Sequence, residues 1–571
     1  MSPAQGDRLA VLAPEAASMT TRDGVRLDAD VYRPVGDGPW PVLLQRQAYG
    51  RRIACTICYA HPAWYAAHGY IVVVQDVRGR GSSEGVFRPG EHELEDGAQA
   101  VEWAARLGGA DGRVAMYGFS YQGYNQLLAA AGDCPSLCAI APAMGPWDPA
   151  TTWAYENGAL RMKQMLGWGL QITGEAARRA GDAAAYASLV EAAAQPPFGE
   201  AVSARPAIIE RHRALSHVMD WLETPADDPF WQGISPAARA EALRARKLPM
   251  LFVGGWFDTH LASTWRAFSA LGGEGAHAAT RLIVGPWLHF PWVRQVGQID
   301  FGPAAARDMD AEHIRFFDRV LKEVTAEQPA SRVELFDMGA RAWRSFDRLP
   351  AGDSDTNGAL ALSGSGRAAI DTCDGKLLTG ESDVAGEGAE FIVHDPWRPA
   401  PVTGGCYGVP PGPVDRRVTD ERGDVAVFTT APLDAALSLA GEAEVELAID
   451  CDRASFDLSC VLSRVTTDGK VFQLASGYAH HRALHTDGRD GPNGRYRLRL
   501  SPTCATLAVG EALRLSVAAS DFPAHPLNPG TGEDPVHTPR VHALITTLAI
   551  HHGAARPSLL RLPVQPATAE R

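Results

Sequence analysis

Six short apolar runs recur through the first 290 residues, with helix-forming stretches between several of them, and they leave few folds open. "PVLLQRQ" (41–47) and "YIVVVQDVRG" (70–79) are β-branched and apolar at successive positions, so as strands they bury both faces. "RVAMYG" (113–118), "CAIAPAM" (138–144), "PMLFVGGWFD" (249–258) and "TRLIVGPW" (280–287) repeat the pattern. "PAWYAAHG" and "EHELEDGAQAVEWAARL" (91–107) have helical period and lie between runs. Strands alternating with helices pair in parallel, because the crossover needs a dozen or more residues, and the helices cover both faces of the sheet. Ahead of them, "MTTRDGVRLDADVYRP" (19–34) alternates around an Asp-Gly turn and reads as a β-hairpin.

The rhythm breaks twice. With 571 residues the chain is too long for one core and calls for two to four domains. Residues 1–145 and 241–345 carry the α/β pattern. Residues 146–240 are Ala-rich and helical, with Trp and Met interspersed, and read as a helical cap inserted between two strands. From 346 to 571 the chain becomes short alternating runs such as "VAVFTTAPL" and "RYRLRLSPT", separated by turn residues, which suggests an all-β sandwich.

Charge and cysteine usage narrow the function classes. The net charge of −14 and pI of about 5.7 offer no basic face for a nucleic acid. No apolar run approaches the roughly 18 residues that span a bilayer, and the start shows no basic segment followed by an apolar core. Nine cysteines, an odd number in a large chain, disfavour a disulfide scaffold. Cys55 and Cys58 form a lone C-x-x-C; the next pair, Cys134 and Cys138, has the wrong spacing for a zinc site. The expectation is a cytoplasmic protein with structural thiols and no metal.

Chemistry enters at "GFSYQG" (118–123), a serine between a strand and a helix that reads "YNQLLAAAG". Gly-x-Ser-x-Gly in that context is the nucleophile elbow, widened here by one residue before Gly123. It presents a nucleophile or is only a turn, and the difference lies in whether a base and an acid follow. In α/β hydrolases the order is Ser, acid, His, each beyond the end of a strand. Asp258 closes "LFVGGWFD", 138 positions beyond Ser120, and His289 follows "RLIVGPWLH" a further 31 on. His260 competes as base, yet it stands two residues from Asp258 and cannot readily fold back on that acid while facing Ser120. Asp76 also ends a strand, but it precedes the serine and reads as a loop anchor. The oxyanion of an acyl transfer needs donors. The Tyr121 N–H follows the nucleophile, and Tyr49 lies in the loop after an early strand, as a hydroxyl donor or as a packing aromatic.

These motifs together resemble the cocaine esterase / α-amino acid ester hydrolase family of X-Pro dipeptidyl-peptidase-like serine hydrolases. The resemblance rests on "TTRDGVRLDADVYRP", "IVVVQDVRGRGSSEG", "GFSYQG", "GWFD", "GPWLH" and "HPLNPGTGE … RPSLLRLPV" and covers nearly the whole chain. It implies an α/β-hydrolase domain with an inserted helical cap and a C-terminal jelly-roll. It also implies Ser120 as nucleophile, Asp258 as orienting acid, His289 as base, and Tyr49 and Tyr121 as the oxyanion hole. Members often carry Pro-Tyr at the oxyanion tyrosine, where this chain has Ala48-Tyr49. Members that take α-amino acid esters hold the ammonium with a carboxylate cluster, for which Glu156 is the candidate here, with a cap-helix position as its bland alternative. Trp153, Trp168 and Trp256 are candidates for an acyl pocket, with core packing as the commoner role of aromatic residues at such positions.

The expectation is a serine hydrolase acting on a small-molecule ester or amide, with no cofactor, no nucleic-acid partner and no membrane. A homo-oligomer is compatible with it. An X-Pro dipeptidyl-peptidase or acylase on the same triad is the nearest alternative, and a non-catalytic binding protein with a vestigial elbow the more distant one.

Overall fold

The computed structural model describes residues 8–225, 227–324, 331–350, 358–379, 386–482 and 494–566. The first sheet is built from β1 (Glu15–Thr20), β2 (Arg26–Tyr32), β3 (Trp40–Gln47), β4 (Ile71–Asp76), β5 (Ala110–Phe119), β6 (Leu137–Ala143), β7 (Leu251–Phe257), β8 (Arg281–Leu288), β9 (Val333–Asp337) and β10 (Ala342–Phe346). Their spatial order is β1-β2-β4-β3-β5-β6-β7-β8-β9-β10. From β4 to β9 every neighbouring pair is parallel; β1–β2, β2–β4 and β9–β10 are antiparallel. The hairpin expected from the Asp-Gly turn is the β1–β2 pair, with Gly24 at φ 87° between Thr20 and Arg26. All six residues of β4 are buried, as an apolar β-branched run between two helical layers requires.

The helices that matter for the site are α1 (Glu93–Ala105), α2 (Tyr121–Ala131), α3 (Met162–Arg179), α4 (Ala183–Ala194), α5 (Leu261–Leu271) and α6 (Met309–Leu321). Helices α1, α2 and α5 pack on one face of the sheet, in a core that continues into the C-terminal β layer. Helix α6 packs on the other face. Between β6 and β7 the chain runs through α3, α4 and shorter helical turns, whose apolar residues form a third core with Tyr121, Tyr124 and Leu128 of α2. The cap therefore rests directly on the helix that follows the candidate nucleophile. At its centre a Cβ on Gly169 of α3 would lie 2.2 Å from Val218 Cγ2, so glycine lets the two segments touch.

Among the described residues from 358 onward the regular structure is almost entirely β. Eleven strands form one curled sheet, and Leu437–Gly441 pairs with Thr503–Leu507 beside it. The longest ladder joins Ser455–Val465 to Val471–Arg482. This is the all-β sandwich that the alternating runs imply, and it docks against both the α/β domain and the cap.

One polar seam crosses the apolar interior. Arg46 on β3, fully buried, pairs with Glu93 on α1 and donates to Gln75 Oε1 at 3.0 Å. Glu93 also accepts from the Tyr121 hydroxyl at 2.9 Å. Removing one member of a buried pair leaves an uncompensated charge, at a cost of about 3–5 kcal/mol. Arg46→Met is expected to lower the free energy of unfolding by that amount, read by urea denaturation. The double variant Arg46→Met/Glu93→Met is expected to recover most of the loss.

Candidate active site

Because β5, β7 and β8 are parallel, their carboxyl ends lie along one edge of the sheet, and the residues just past those ends are Ser120, Asp258 and His289. Ser120 sits at φ 61°, ψ −126°, a conformation few side chains adopt. The surroundings enforce it. Ser120 N–H donates to Ala143 O at 2.9 Å, and the N–H groups of Gly123 and Tyr124 turn back to Ser120 O at 2.9 and 3.1 Å. Both flanking glycines are required. Gly118 lies at φ 145°, and a Cβ there would meet Gln122 Cβ at 2.5 Å. A Cβ on Gly123 would meet the Ala143 carbonyl oxygen at 2.6 Å. The residue that widens the motif thus places its second glycine where α2 crosses β6.

His289 joins the three candidates. Its Nε2 lies 2.9 Å from Ser120 Oγ and its Nδ1 2.7 Å from Asp258 Oδ1. The Asp258 side chain is fully buried and that of His289 about a quarter exposed. Since a carboxylate only accepts, Nδ1 carries the proton and Nε2 is free to take one from the serine. His260 is also close, its ring 5.5 Å from that of His289, but its Nε2 faces Gln164 at 3.1 Å. Burial, then His289 and Arg161, hold its imidazole well below the usual histidine range. Asp76 is the loop anchor the sequence suggests. It pairs with Arg51, accepts from Arg51 N–H at 2.6 Å and lies against Gly81, where a Cβ would overlap its carboxylate.

Helix α2 begins at Tyr121, so the Tyr121 N–H precedes the first intrahelical bond and points beyond the strand end. The Tyr49 hydroxyl lies beside the Ser120 side chain and accepts from Trp168 Nε1 at 3.2 Å. Burial raises the Tyr49 pKa, so the phenol keeps its proton. With an indole N–H already on its oxygen, that proton is directed away from Trp168. The strand leading to Tyr49 is tied to the elbow helix by Gln122 Nε2 donating to Gln47 Oε1 at 2.9 Å and Asn125 Nδ2 to Arg46 O at 3.0 Å. Those bonds set the distance between the Tyr49 hydroxyl and the Tyr121 N–H. Arg80, invisible as a site residue in the sequence, is buried beside them. Its guanidinium lies 4.0 Å from the centre of the Phe87 ring and its charge bears on Tyr121 and Tyr49; burial lowers its pKa to about 10.

The remaining candidates divide. Trp153 and Trp168 lie together, centroids 4.9 Å apart, and Trp153 reaches His260 at 6.2 Å. Contacts therefore close a ring from Ser120 through Tyr49, Trp168, Trp153, His260 and His289 back to Ser120. Trp256 stands outside it, buried in the main core and donating to Phe336 O at 2.7 Å. Glu156 is on a two-residue strand, Tyr155–Glu156, not on a cap helix. Its carboxylate is 3.6 Å from Arg161 Nε and accepts from Tyr478 N–H at 3.4 Å. It lines, with Asp258, a cavity of about 130 Å³ between the α/β and β domains. Cys55 and Cys58 are free, and burial pushes the Cys58 thiol up to about 12.

An α/β sheet with an insertion over its carboxyl edge and a serine, imidazole and carboxylate in one line defines a serine hydrolase of the α/β-hydrolase fold. Residues 23–291 match the family of X-Pro dipeptidyl-peptidases (S15 family), and residues 325–561 match the X-Pro dipeptidyl-peptidase C-terminal non-catalytic domain. Over 569 residues the chain is 31% identical to cocaine esterase from Rhodococcus sp. (strain MB1 Bresler), covering 95% of this chain and 97% of that one. The chain belongs to this family of cocaine esterase and S15-type serine hydrolases. Two solved structures share its fold across nearly their whole length. One is an aminopeptidase from a marine sediment archaeon, Thaumarchaeota archaeon (TM-score 0.76, 22% identity, 96% of each chain). The other is an α-amino acid ester hydrolase (TM-score 0.74, 20% identity, 99% of this chain and 100% of that one).

Gly123→Ala tests the elbow. Overpacking at a rigid contact costs about 1–3 kcal/mol, and the displaced helix carries the Tyr121 N–H with it. Thermal denaturation is expected to show the loss of stability, and steady-state kinetics a lower kcat.

Proposed function

We propose that this serine hydrolase cleaves a carboxylic ester through an acyl-enzyme on Ser120. Asp258 orients His289, which takes the Ser120 proton and returns it to the leaving group. The Tyr49 hydroxyl and the Tyr121 N–H hold the oxyanion, and water releases the acid by the same route in reverse. The observation that carries this reading is His289, in contact with both Ser120 and Asp258 through opposite ring nitrogens. The acyl group occupies the space inside the ring of Tyr49, Trp168, Trp153, His260 and His289, with Trp168 positioning the Tyr49 hydroxyl. Trp256 is left out of that site.

An ester is favoured over an X-Pro amide because the one carboxylate considered for an ammonium, Glu156, is engaged by Arg161 and by the Tyr478 amide. The whole-length likeness to an esterase points the same way. We read the chain as an α/β-hydrolase domain (1–145 and 241–345), a helical cap (146–240) and a jelly-roll (346–571). Nine free thiols suit a cytoplasmic location, and among the described residues no helix is long and apolar enough to cross a membrane.

Ser120→Ala is expected to lower kcat on a short p-nitrophenyl ester by at least about four orders of magnitude and to abolish labelling by a fluorophosphonate. Undiminished hydrolysis overturns the assignment. Tyr49→Phe is expected to remain labelled while kcat falls about 10²–10³-fold, the cost of one oxyanion donor. A larger rate on an X-Pro anilide than on the ester makes the enzyme a peptidase on the same triad.

A further inference from the structure

His260 is a polar member of the ring of contacts that the reaction does not use. It is 4% exposed, and its Nδ1 has no hydrogen-bond partner among the described residues. Which of its nitrogens carries the proton follows from a chain of bonds that starts at Tyr407. Arg161 is buried, with its guanidinium 5.5 Å from the centre of the Tyr407 ring. The Tyr407 hydroxyl donates to Gln164 Oε1 at 3.0 Å. That fixes the amide. Gln164 Nε2, which only donates, then faces His260 Nε2 at 3.1 Å and Thr259 Oγ1 at 3.4 Å. The nitrogen receiving that bond is bare, so the proton of the neutral imidazole is on Nδ1.

A buried donor without an acceptor is costly, and a group that supplies the acceptor recovers the loss. The ring of His260 stands between Trp153, edge to face at 6.2 Å, and His289 at 5.5 Å. On the acyl-site reading above, an acyl group on Ser120 lies against this ring.

We infer that this enzyme selects acyl groups bearing a hydrogen-bond acceptor, an ether, keto or hydroxyl oxygen, which His260 Nδ1–H holds at the inner end of the acyl site. The inference rests on the acyl-site reading above. It also sets this chain against α-ammonium acyl groups. An ammonium only donates, so it would oppose another donor, with the Arg161 charge behind it. His260, Gln164 and Tyr407 thus become specificity residues, and Tyr407 reaches the site from the β domain.

The test is an oxygen scan. Aryl esters of butyrate and longer straight-chain acids are compared with analogues in which an ether or keto oxygen replaces one methylene at successive positions, each kcat/KM divided by the uncatalysed rate. For at least one position the wild-type enzyme is expected to favour the oxygen analogue about tenfold and to disfavour the matched aminoacyl ester. In His260→Phe that ratio is expected to fall to near one. In Tyr407→Phe, where the Gln164 amide can turn over, it is expected to shrink. A wild-type ratio near one at every position overturns the inference and needs no variant. So does a ratio that survives His260→Phe. Fluorophosphonate labelling of each variant separates these outcomes from failure of the hydrolase reading, since a wild-type enzyme that does not label refutes the triad and not merely the acyl preference.

Discussion

The backbone at Ser120 is the constraint on which the site depends. A residue at φ 61°, ψ −126° is unfavourable in isolation and persists only where its neighbours over-determine it. Here they do so from three directions. The Ala143 carbonyl holds the Ser120 N–H, the first turn of α2 closes on the Ser120 carbonyl, and Gly118 and Gly123 clear room that any Cβ would fill. The return is geometric. The serine stands beyond the strand end with a free helix N-terminus behind it, so the proposed nucleophile and the proposed oxyanion donor come from adjacent residues and cannot drift apart.

Tyr49, the other proposed oxyanion donor, lies 72 positions before Tyr121, and its placement is a matter of packing. Gln122 and Asn125 on α2 bond to the end of β3, and Arg46 at that end pairs with Glu93, which receives the Tyr121 hydroxyl. A polar seam of this kind is poor economy for stability alone, because an apolar replacement is often neutral or better. Its use here is register. It locks the loop carrying Tyr49 to the helix carrying Tyr121, and Trp168 in the cap then aims the phenol by occupying its oxygen.

Much of this was legible in the sequence because it is periodic or ordered along the chain. Doubly buried strands such as "IVVVQD" announce a parallel sheet, and a parallel sheet puts strand ends on one edge, so the order Ser120, Asp258, His289 suffices to bring three distant residues together. What was not legible depends on contacts that no local pattern encodes. Trp153 and Trp256 look alike as apolar residues near strand or helix ends, yet one packs against the site and the other closes the main core through Phe336. Glu156 looks like a free acid until Arg161 and the Tyr478 amide are placed beside it. Trp168 reads as a pocket wall and acts also as a donor. The link from Tyr407 to Gln164 spans 243 positions and carries no signature in either segment.

That link changes the role of the β domain. A domain that only covered the α/β core would need apolar contact and nothing more, yet this one inserts a phenol between a buried guanidinium in the cap and an amide that faces His260. The Tyr407 hydroxyl donates to the Gln164 carbonyl oxygen, which leaves the amide N–H₂ to face His260 Nε2. The proton on His260 is therefore set from outside the α/β domain. In the proposed mechanism the triad performs the chemistry with residues from one sheet edge, whereas the polarity of the proposed acyl site is fixed jointly by the sheet, the cap and the sandwich. On that reading acyl preference can change by substitution in any of the three without disturbing the elbow, which is a physical reason for one catalytic frame to serve relatives named for esters and for peptides.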